Sequence, residues 1–154
     1  MDDYLKKNYD KITKYFAATY FNKTWDILDN TERTKDDIEK MKHLCHSSFQ
    51  HWTEVENCTE ENLSIGYWQL SRVYSVAGEG ESAIRYANKC IEISENAELA
   101  PFYIAYAYEA KARALKILGK SEESRAVKNI AGEFVPKIKD KDSKKLIEKD
   151  LENI

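Results

Sequence analysis

The chain has 154 residues, of which 42% are hydrophobic and 33% charged, and its formal net charge is −3. This length suits one domain with a sizeable core, and a weakly acidic protein has no positive field to attract nucleic acid or an anionic membrane. No apolar run approaches the roughly 20 residues of a membrane span, and the charged N-terminus argues against a secretory signal. Three cysteines without a CxxC pair are typical of reduced thiols, so we expect a cytoplasmic protein.

Only two prolines and five glycines interrupt the chain, which favours long helices over short strands. Apolar residues at spacings of three and four predict seven helices and no strand. In chain order these helices span residues 3–29, 35–55, 60–77, 81–94, 97–118, 121–135 and 142–153. The core stripe of the first helix is predicted to comprise Leu5, Tyr9, Ile12, Phe16, Tyr20, Phe21, Trp25 and Leu28.

Helix ends carry their own signals in this sequence. Thr34 followed by Asp37 has the spacing of a capping box, and Thr59 is placed to cap the third helix. Glycine ends helices readily because it accepts a left-handed backbone. The remaining predicted signals are the caps Ser121 and Ser143 and the stops Gly78 and Gly119.

Two helix pairs align with each other when Gly119 is superimposed on Gly78, an offset of 41 residues. In the first pair, "YWQLSRVYSVAGEGESAIRYANKCIEI", the notable positions are Tyr67, Leu70, Tyr74, Gly78, Ala83 and Cys90. This pattern resembles the tetratricopeptide repeat, a helix–turn–helix unit of about 34 residues. We place the extra residues of the offset at the start of the fifth helix.

The resemblance implies an all-α, right-handed stack of antiparallel helix hairpins that forms a single domain over residues 1–154. Its parts are a divergent hairpin at 3–55, a clear repeat at 60–94, a lengthened repeat at 97–135 and a capping helix at 142–153. About three such units are needed to bury a continuous core, and the last helix would cover its end.

A wider set of residues extends this likeness over residues 22–132. The set comprises Trp25-Asp26, Leu28, His46, Ser48, His51-Trp52, Trp68, Ser71-Arg72-Val73-Tyr74, Ala107-Tyr108-Glu109-Ala110 and Ala112-Arg113-Ala114. It is similar to a family of uncharacterised bacterial proteins with tetratricopeptide-like helices, from which Cys45 and Lys111 depart. The resemblance implies a fold and a cytoplasmic setting, and it implies no activity.

Two pairs of equivalent residues lie beside the core stripe: Trp68 with Glu109, and Arg72 with Arg113. In a tetratricopeptide array the first helix of each pair lines a concave groove. An arginine can hold a carboxylate in bidentate geometry, so the leading hypothesis is a non-catalytic module that binds a peptide or helix carrying an acidic group. The predicted groove residues are Trp68, Gln69, Arg72, Tyr106, Glu109 and Arg113.

The same residues also have a plainer interpretation. Glu109 and Arg113 are spaced as an ordinary helix salt bridge, and Trp68 and Arg72 as a packed cation–π pair. In that case the arginines serve the fold and are not free to meet a partner. A structure distinguishes the two interpretations by showing whether the guanidinium groups are exposed or paired.

A second function class is a small-molecule binder or an enzyme, with a pocket between the second, third and fifth helices. This pocket would be built from His46, His51, Trp52, Trp68, Arg72 and Glu109. The histidines lack the Cys/His clustering of a zinc site and the paired Glu-x-x-His motifs of a di-iron site, so we expect no metal and no cofactor. A third possibility is a homodimer through aromatic surface on the first helix, at Tyr4, Tyr15 and Tyr20.

Overall fold

The computed structural model describes residues 2–154, which form seven α-helices and one short 3-10 turn, with no strand among them. The all-α prediction with seven helices is therefore confirmed. The helices are α1 (Asp3–Leu28), α2 (Lys35–Glu54), α3 (Glu60–Val76), α4 (Gly80–Asn96), α5 (Pro101–Ile117), α6 (Ser121–Phe134) and α7 (Lys141–Glu152). None of the helices in this range has both the length and the apolar character that a membrane span requires.

Helices that follow each other in the chain pack in pairs. The most extensive contacts join α1 to α2, α3 to α4, and α5 to α6. Short connections between such helices produce antiparallel hairpins. Across the hairpins, α3 packs against α5 and α7 packs against α5, so α3, α5 and α7 form one layer.

The two predicted threonine caps are present. The Thr34 hydroxyl accepts a hydrogen bond from the Asp37 backbone N–H at 3.1 Å, and the Asp37 carboxylate accepts one from the Thr34 N–H at 2.9 Å. Thr59 and Asn62 form the same reciprocal box at the start of α3. Each box satisfies two backbone donors that a helix would otherwise leave unpaired.

The two predicted serine caps are wrong. Ser121 is the first residue of α6, because the turn after Gly119 places the cap position at Lys120. Ser143 lies inside α7, and its backbone N–H donates to the carboxylate of Asp140 at 2.8 Å. Asp140 is therefore the cap, since a carboxylate at this position accepts a donor of the first turn.

The turns that contain Gly78 and Gly119 have the same geometry. The two glycines have φ angles of 77° and 75°, a region that side-chain-bearing residues rarely adopt. In both turns the glycine N–H bonds the carbonyl three residues earlier, at 3.1 and 3.0 Å. The N–H that follows each glycine bonds the carbonyl five residues before it, at 2.9 and 3.0 Å.

A pair of buried serines repeats the same offset of 41 residues. The Ser71 hydroxyl on α3 donates to the Ala83 carbonyl on α4 at 2.8 Å. The Ser124 hydroxyl on α6 donates to the Ala112 carbonyl on α5 at 2.7 Å. Ser71 aligns with Ala112, and Ala83 aligns with Ser124. The two hairpins therefore have a hydrogen bond at the same aligned pair of positions, but the first helix of the pair donates in one hairpin and the second helix donates in the other.

The extra residues of the offset do not lie at the start of the fifth helix, so that prediction is wrong. Helices α3, α4 and α5 each contain 17 residues. Helix α4 continues to Asn96, and α5 begins only at Pro101, a residue suited to the first turn of a helix. The chain reverses between them at Glu98, which has a positive φ of 49°.

The predicted core stripe of α1 is also wrong in its first half. The buried residues of α1 are Thr13, Ala17 and Thr24, and the Ser48 hydroxyl of α2 donates to the Ala17 carbonyl at 2.8 Å. Small side chains allow α1 to approach α2 closely, so the helix turns this face inward. Leu5 and Ile12 consequently remain exposed to solvent.

We expect opposite effects from two glycine-to-alanine substitutions. Gly119→Ala places a side chain at positive φ and should lower the free energy of unfolding by about 1–2 kcal/mol. Gly132 lies inside α6, where an added Cβ would meet no atom of residues 2–154 within 4 Å. Gly132→Ala should therefore raise the free energy of unfolding by about 0.5–1 kcal/mol. Urea titration followed by circular dichroism measures both, and equal signs would contradict the assigned turn.

Candidate functional site

The carboxylate of Glu109 lies at the centre of the layer formed by α3, α5 and α7, and its side chain is 0% exposed. Both of its oxygens accept hydrogen bonds. Arg113 Nε donates to Oε1 at 2.7 Å, and Trp68 Nε1 donates to Oε2 at 3.1 Å. Arg72 Nη2 also lies 3.4 Å from Oε1. Equivalent positions of the two hairpins, Trp68 and Glu109, are therefore hydrogen-bonded to each other.

Asp150 brings α7 into the same cluster. Its Oδ2 accepts a hydrogen bond from the Tyr106 hydroxyl at 2.9 Å and lies 3.5 Å from Arg72 Nη2. Arg113 Nη2 donates to the Asp150 carbonyl at 3.4 Å. Burial raises the pKa of Tyr106 above its usual range, and the nearby Asp150 carboxylate adds to the effect, so the phenol remains a donor. Two arginines and two carboxylates make the cluster electrically neutral.

Asp150 is absent from the predicted site residues, although the sequence contains a signal for it. Asp150 follows Glu109 by 41 residues, the same interval by which Glu109 follows Trp68. Applying the repeat offset a second time would have placed Asp150 beside Glu109. The charged character of α7 concealed this position among lysines and acids that face solvent.

The predicted groove arginines are paired within the protein. Arg72 and Arg113 both contact Glu109, and the Arg72 guanidinium lies 5.5 Å from the centre of the Trp68 ring. This geometry matches the plainer interpretation of both pairs. Two predicted groove residues do not line an accessible surface: Glu109 is fully buried, and Gln69, only 1% exposed, donates to the Phe21 carbonyl at 3.1 Å.

A cavity of about 620 Å³ lies between α1, α3, α5 and α7. Most of its lining is apolar or aromatic, and its polar positions lie towards the charged cluster and the end of α1. The lining residues are Phe21, Trp25, Leu28, Asp29, Ser64, Ile65, Trp68, Arg72, Val76, Cys90, Phe102, Tyr103, Tyr106, Leu146 and Asp150. Three predicted groove residues, Trp68, Arg72 and Tyr106, thus line a cavity.

Aromatic rings define the walls of this cavity. Trp25 of α1 and Trp68 of α3 are stacked, with ring centres 5.4 Å apart and planes inclined by 29°. Tyr106 meets Trp68 edge-on at 5.2 Å, and Phe102 meets Tyr106 edge-on at 5.0 Å. Such contacts hold large side chains in fixed orientations, so the cavity is preformed.

One polar atom at the cavity lacks a partner. Arg72 Nε is buried, and no acceptor among residues 2–154 receives its hydrogen. The guanidinium uses its Nη2 atom for Glu109 and Asp150, and neither carboxylate accepts from the Nε–H. A buried N–H without an acceptor costs about 1–3 kcal/mol, and an acceptor supplied by a bound molecule would recover that cost.

The histidines and Trp52 of the predicted pocket do not line this cavity. His46 Nε2 lies 2.9 Å from the Tyr74 hydroxyl, whereas His51 stacks on Phe16 and Tyr20 of α1. These two histidines and the half-buried Trp52 lie on α2, and no α2 residue is among those lining the cavity. Helix α2 packs against α1 and α3, and the histidine pocket stays a prediction. Within residues 2–154, no group of three or more His, Cys, Asp or Glu residues is placed to hold a metal ion.

The Cys90 thiol is the one sulfur atom in the cavity lining, and burial raises its pKa to about 11. Its sulfur lies 3.3 Å from the Ser64 carbonyl. At neutral pH the thiol is therefore protonated, and the reactive thiolate form is scarce. The side chain contributes apolar surface to the cavity.

Comparison of the chain with protein-family models, curated proteins and solved structures gives no match. The function is therefore argued from the geometry of the cavity and of the charged cluster beside it.

Substitution of the central carboxylate should test the cluster directly. Glu109→Gln keeps the shape of the side chain but leaves two partly buried arginines with too little negative charge. We expect a loss of about 3 kcal/mol in the free energy of unfolding, measured by urea titration. Glu92→Gln is the matched control, because the Glu92–Lys89 pair is exposed on both sides. Similar stability for the two variants would contradict the structural role of Glu109.

The buried thiols should differ from Cys58 in reactivity. Burial raises the pKa of Cys45 to about 12 and that of Cys90 to about 11, and both side chains are buried. At pH 8 a disulfide reagent should therefore modify the native protein only at the partly exposed Cys58, and all three cysteines in urea. Peptide mass spectrometry identifies the modified residues, and rapid native labelling of Cys90 would disprove the packing described.

Proposed function

We propose that this protein is a non-catalytic small-molecule-binding protein whose cavity takes a flat, apolar, uncharged compound with one hydrogen-bond acceptor. The observation that carries the proposal is a 620 Å³ cavity with mostly aromatic and apolar walls, which is also lined by Arg72, whose buried Nε–H has no acceptor within residues 2–154. Ligand sites typically measure about 300–1,000 Å³ and combine apolar walls with a few placed polar groups.

The shape of the walls supports a planar ligand. Trp25 and Trp68 present stacked indoles, and Phe102 and Tyr106 add ring edges from α5. Flat groups gain most from contact with flat aromatic faces. An acceptor at one end of the compound would then lie towards Arg72.

The charges around the cavity disfavour an anionic ligand. The positive charge of Arg72 is already matched by Glu109 and Asp150, and Asp29 adds another carboxylate to the lining. An anion in the cavity would lie near Asp29 and Asp150, with no unpaired cation among the lining residues to balance its charge. A carbonyl or ether oxygen carries no charge, and the Nε–H alone would satisfy it as a hydrogen-bond donor. The cavity therefore favours a ligand with a neutral hydrogen-bond acceptor over a partner with an acidic group.

The peptide-groove hypothesis stays a prediction. The position of α7 and the pairing of the arginines favour a small ligand over a peptide. A partner helix would need the space beside Trp68 and Tyr106, and Leu146 of α7 already borders that space. The arginines that were to attract the partner are held by Glu109. The small-molecule class is therefore favoured, with a different lining from the predicted histidine pocket.

We also infer that the fold is a shortened tetratricopeptide-like stack in a cytoplasmic bacterial protein. The matching turns at Gly78 and Gly119 and the exchanged serine bonds support an internal repeat of 41 residues. A groove bordered by α7, as the lining residues Leu146 and Asp150 indicate, would be a departure from the open arrays of that class.

Binding of the neutral dye Nile red should test the cavity. We expect saturable fluorescence enhancement with a dissociation constant in the micromolar range, reduced at least tenfold by Trp25→Ala. Trp52→Ala is the matched control, because Trp52 is also half-buried but does not line the cavity. Equal affinity of both variants, with unchanged helix content, would refute the proposal.

The charge argument is tested in the same experiment by competition. 2-Naphthamide and 2-naphthoate share one ring system and differ in charge at neutral pH. The amide should displace Nile red at a concentration at least tenfold lower than the carboxylate. Arg72→Lys removes the Nε donor while keeping the positive charge, so it should reduce this preference. Tighter binding of the carboxylate would contradict the proposed ligand class.

A further inference from the structure

A row of exposed apolar side chains runs along the N-terminal half of α1. Leu5, Tyr9, Ile12 and Phe16 are between 37% and 54% exposed. Their spacing of four, three and four residues is that of the apolar seam between two paired helices. Leu5, Tyr9, Ile12 and Phe16 together form the seam. Tyr4 and Tyr15 flank the seam and are still more exposed.

The seam lies beside the face with which α1 packs on α2, and its Phe16 ring stacks on His51 of α2. Thr13 and Ala17 are buried, and they lie about a quarter-turn around the helix from the seam. The only side-chain hydrogen bond of the seam within residues 2–154 joins the Tyr9 hydroxyl to Glu54 at 2.7 Å. Two of the four seam side chains thus contact α2 at one edge, and the exposed part of all four is left without a covering element among residues 2–154.

We propose that the seam binds the same seam of a second copy, with the two α1 helices antiparallel. An antiparallel pair about a two-fold axis between Asp10 and Lys11 places Leu5 opposite Phe16 of the other copy. The same axis places Tyr9 opposite Ile12. All four layers of the seam are then filled, because the spacing reads the same in both directions. A two-fold interface requires this self-complementarity.

The surface area is sufficient for a weak dimer. The four seam residues and the two flanking tyrosines are roughly half exposed, which gives about 600 Å² of apolar side chain per copy. Two copies would bury about 1,200 Å², the lower limit of specific protein interfaces. We therefore expect dissociation in the micromolar range.

The charges of this segment favour a second copy over a membrane. Residues 2–16 contain four lysines and three aspartates, so their net charge is only +1. Two such helices repel each other weakly, and a surface of anionic lipid would gain little from them. Peripheral membrane helices instead carry a strongly basic polar face.

Sedimentation velocity over a range of concentrations tests the dimer. The unmodified protein should shift from monomer to dimer between about 1 and 100 μM. Ile12→Asp should remain monomeric over the same range. Ile130→Asp is the matched control, because Ile130 is an exposed isoleucine of α6 outside the seam, and it should dimerise like the unmodified protein. A monomeric unmodified protein, or an unaffected Ile12→Asp variant, would overturn the proposal.

Cysteine cross-linking tests the antiparallel register independently of affinity. In a Cys58→Ser background, the remaining native thiols, Cys45 and Cys90, are buried. Mild oxidation of an equimolar mixture of the Tyr9→Cys and Ile12→Cys variants should give a covalent dimer that contains one of each, since these positions face each other. A mixture of the Leu5→Cys and Ile12→Cys variants pairs positions that are offset by about one turn and should stay monomeric. Equal cross-linking of both pairs would overturn the register. Sedimentation with phosphatidylglycerol vesicles by a protein that stays monomeric would favour lipid instead.

Discussion

The fold depends on the burial of one carboxylate, that of Glu109. Removing an ion from water costs several kcal/mol unless charged or polar partners replace the solvent. Here Arg113 on the same helix and Arg72 and Trp68 on α3 take that place. Any sliding of α3 along α5 would separate the carboxylate from two of these partners. The cost of an unpaired buried charge thus favours one alignment of the hairpins, which apolar packing alone would specify less sharply.

The cavity is shaped by the same polar contacts. The indole N–H of Trp68 is bound to Glu109, so the face of its ring is turned towards Trp25. Arg72 is tied through Nη2 to two carboxylates, and its Nε has no acceptor within residues 2–154. An apolar space whose walls are fixed in this way need not order its side chains when a ligand enters. That preorganisation lowers the entropic cost of binding.

Local chemistry made much of the fold predictable, and contacts between distant segments limited the prediction of the site. The capping box at Thr34 and the turn at Gly119 depend on neighbours within a few residues, so their sequence signals were sufficient. One face of helix α1 carries small residues and another carries large apolar residues. Hydrophobic periodicity alone does not determine which of these faces packs against α2. The contact of Asp150 with Arg72 likewise requires the docking of α7, which no local pattern encodes.

The interval of 41 residues that separates Trp68, Glu109 and Asp150 also constrains how the chain can change in length. Each residue of an α-helix turns the next by about 100°. One residue inserted in α5 ahead of Glu109 would rotate its carboxylate away from α3, even though the pair with Arg113 would survive. Insertions in the connection at 97–100 leave the phase of both helices intact, and loops tolerate them well. Length variation among descendants of this chain should therefore concentrate between the helices and spare their interiors.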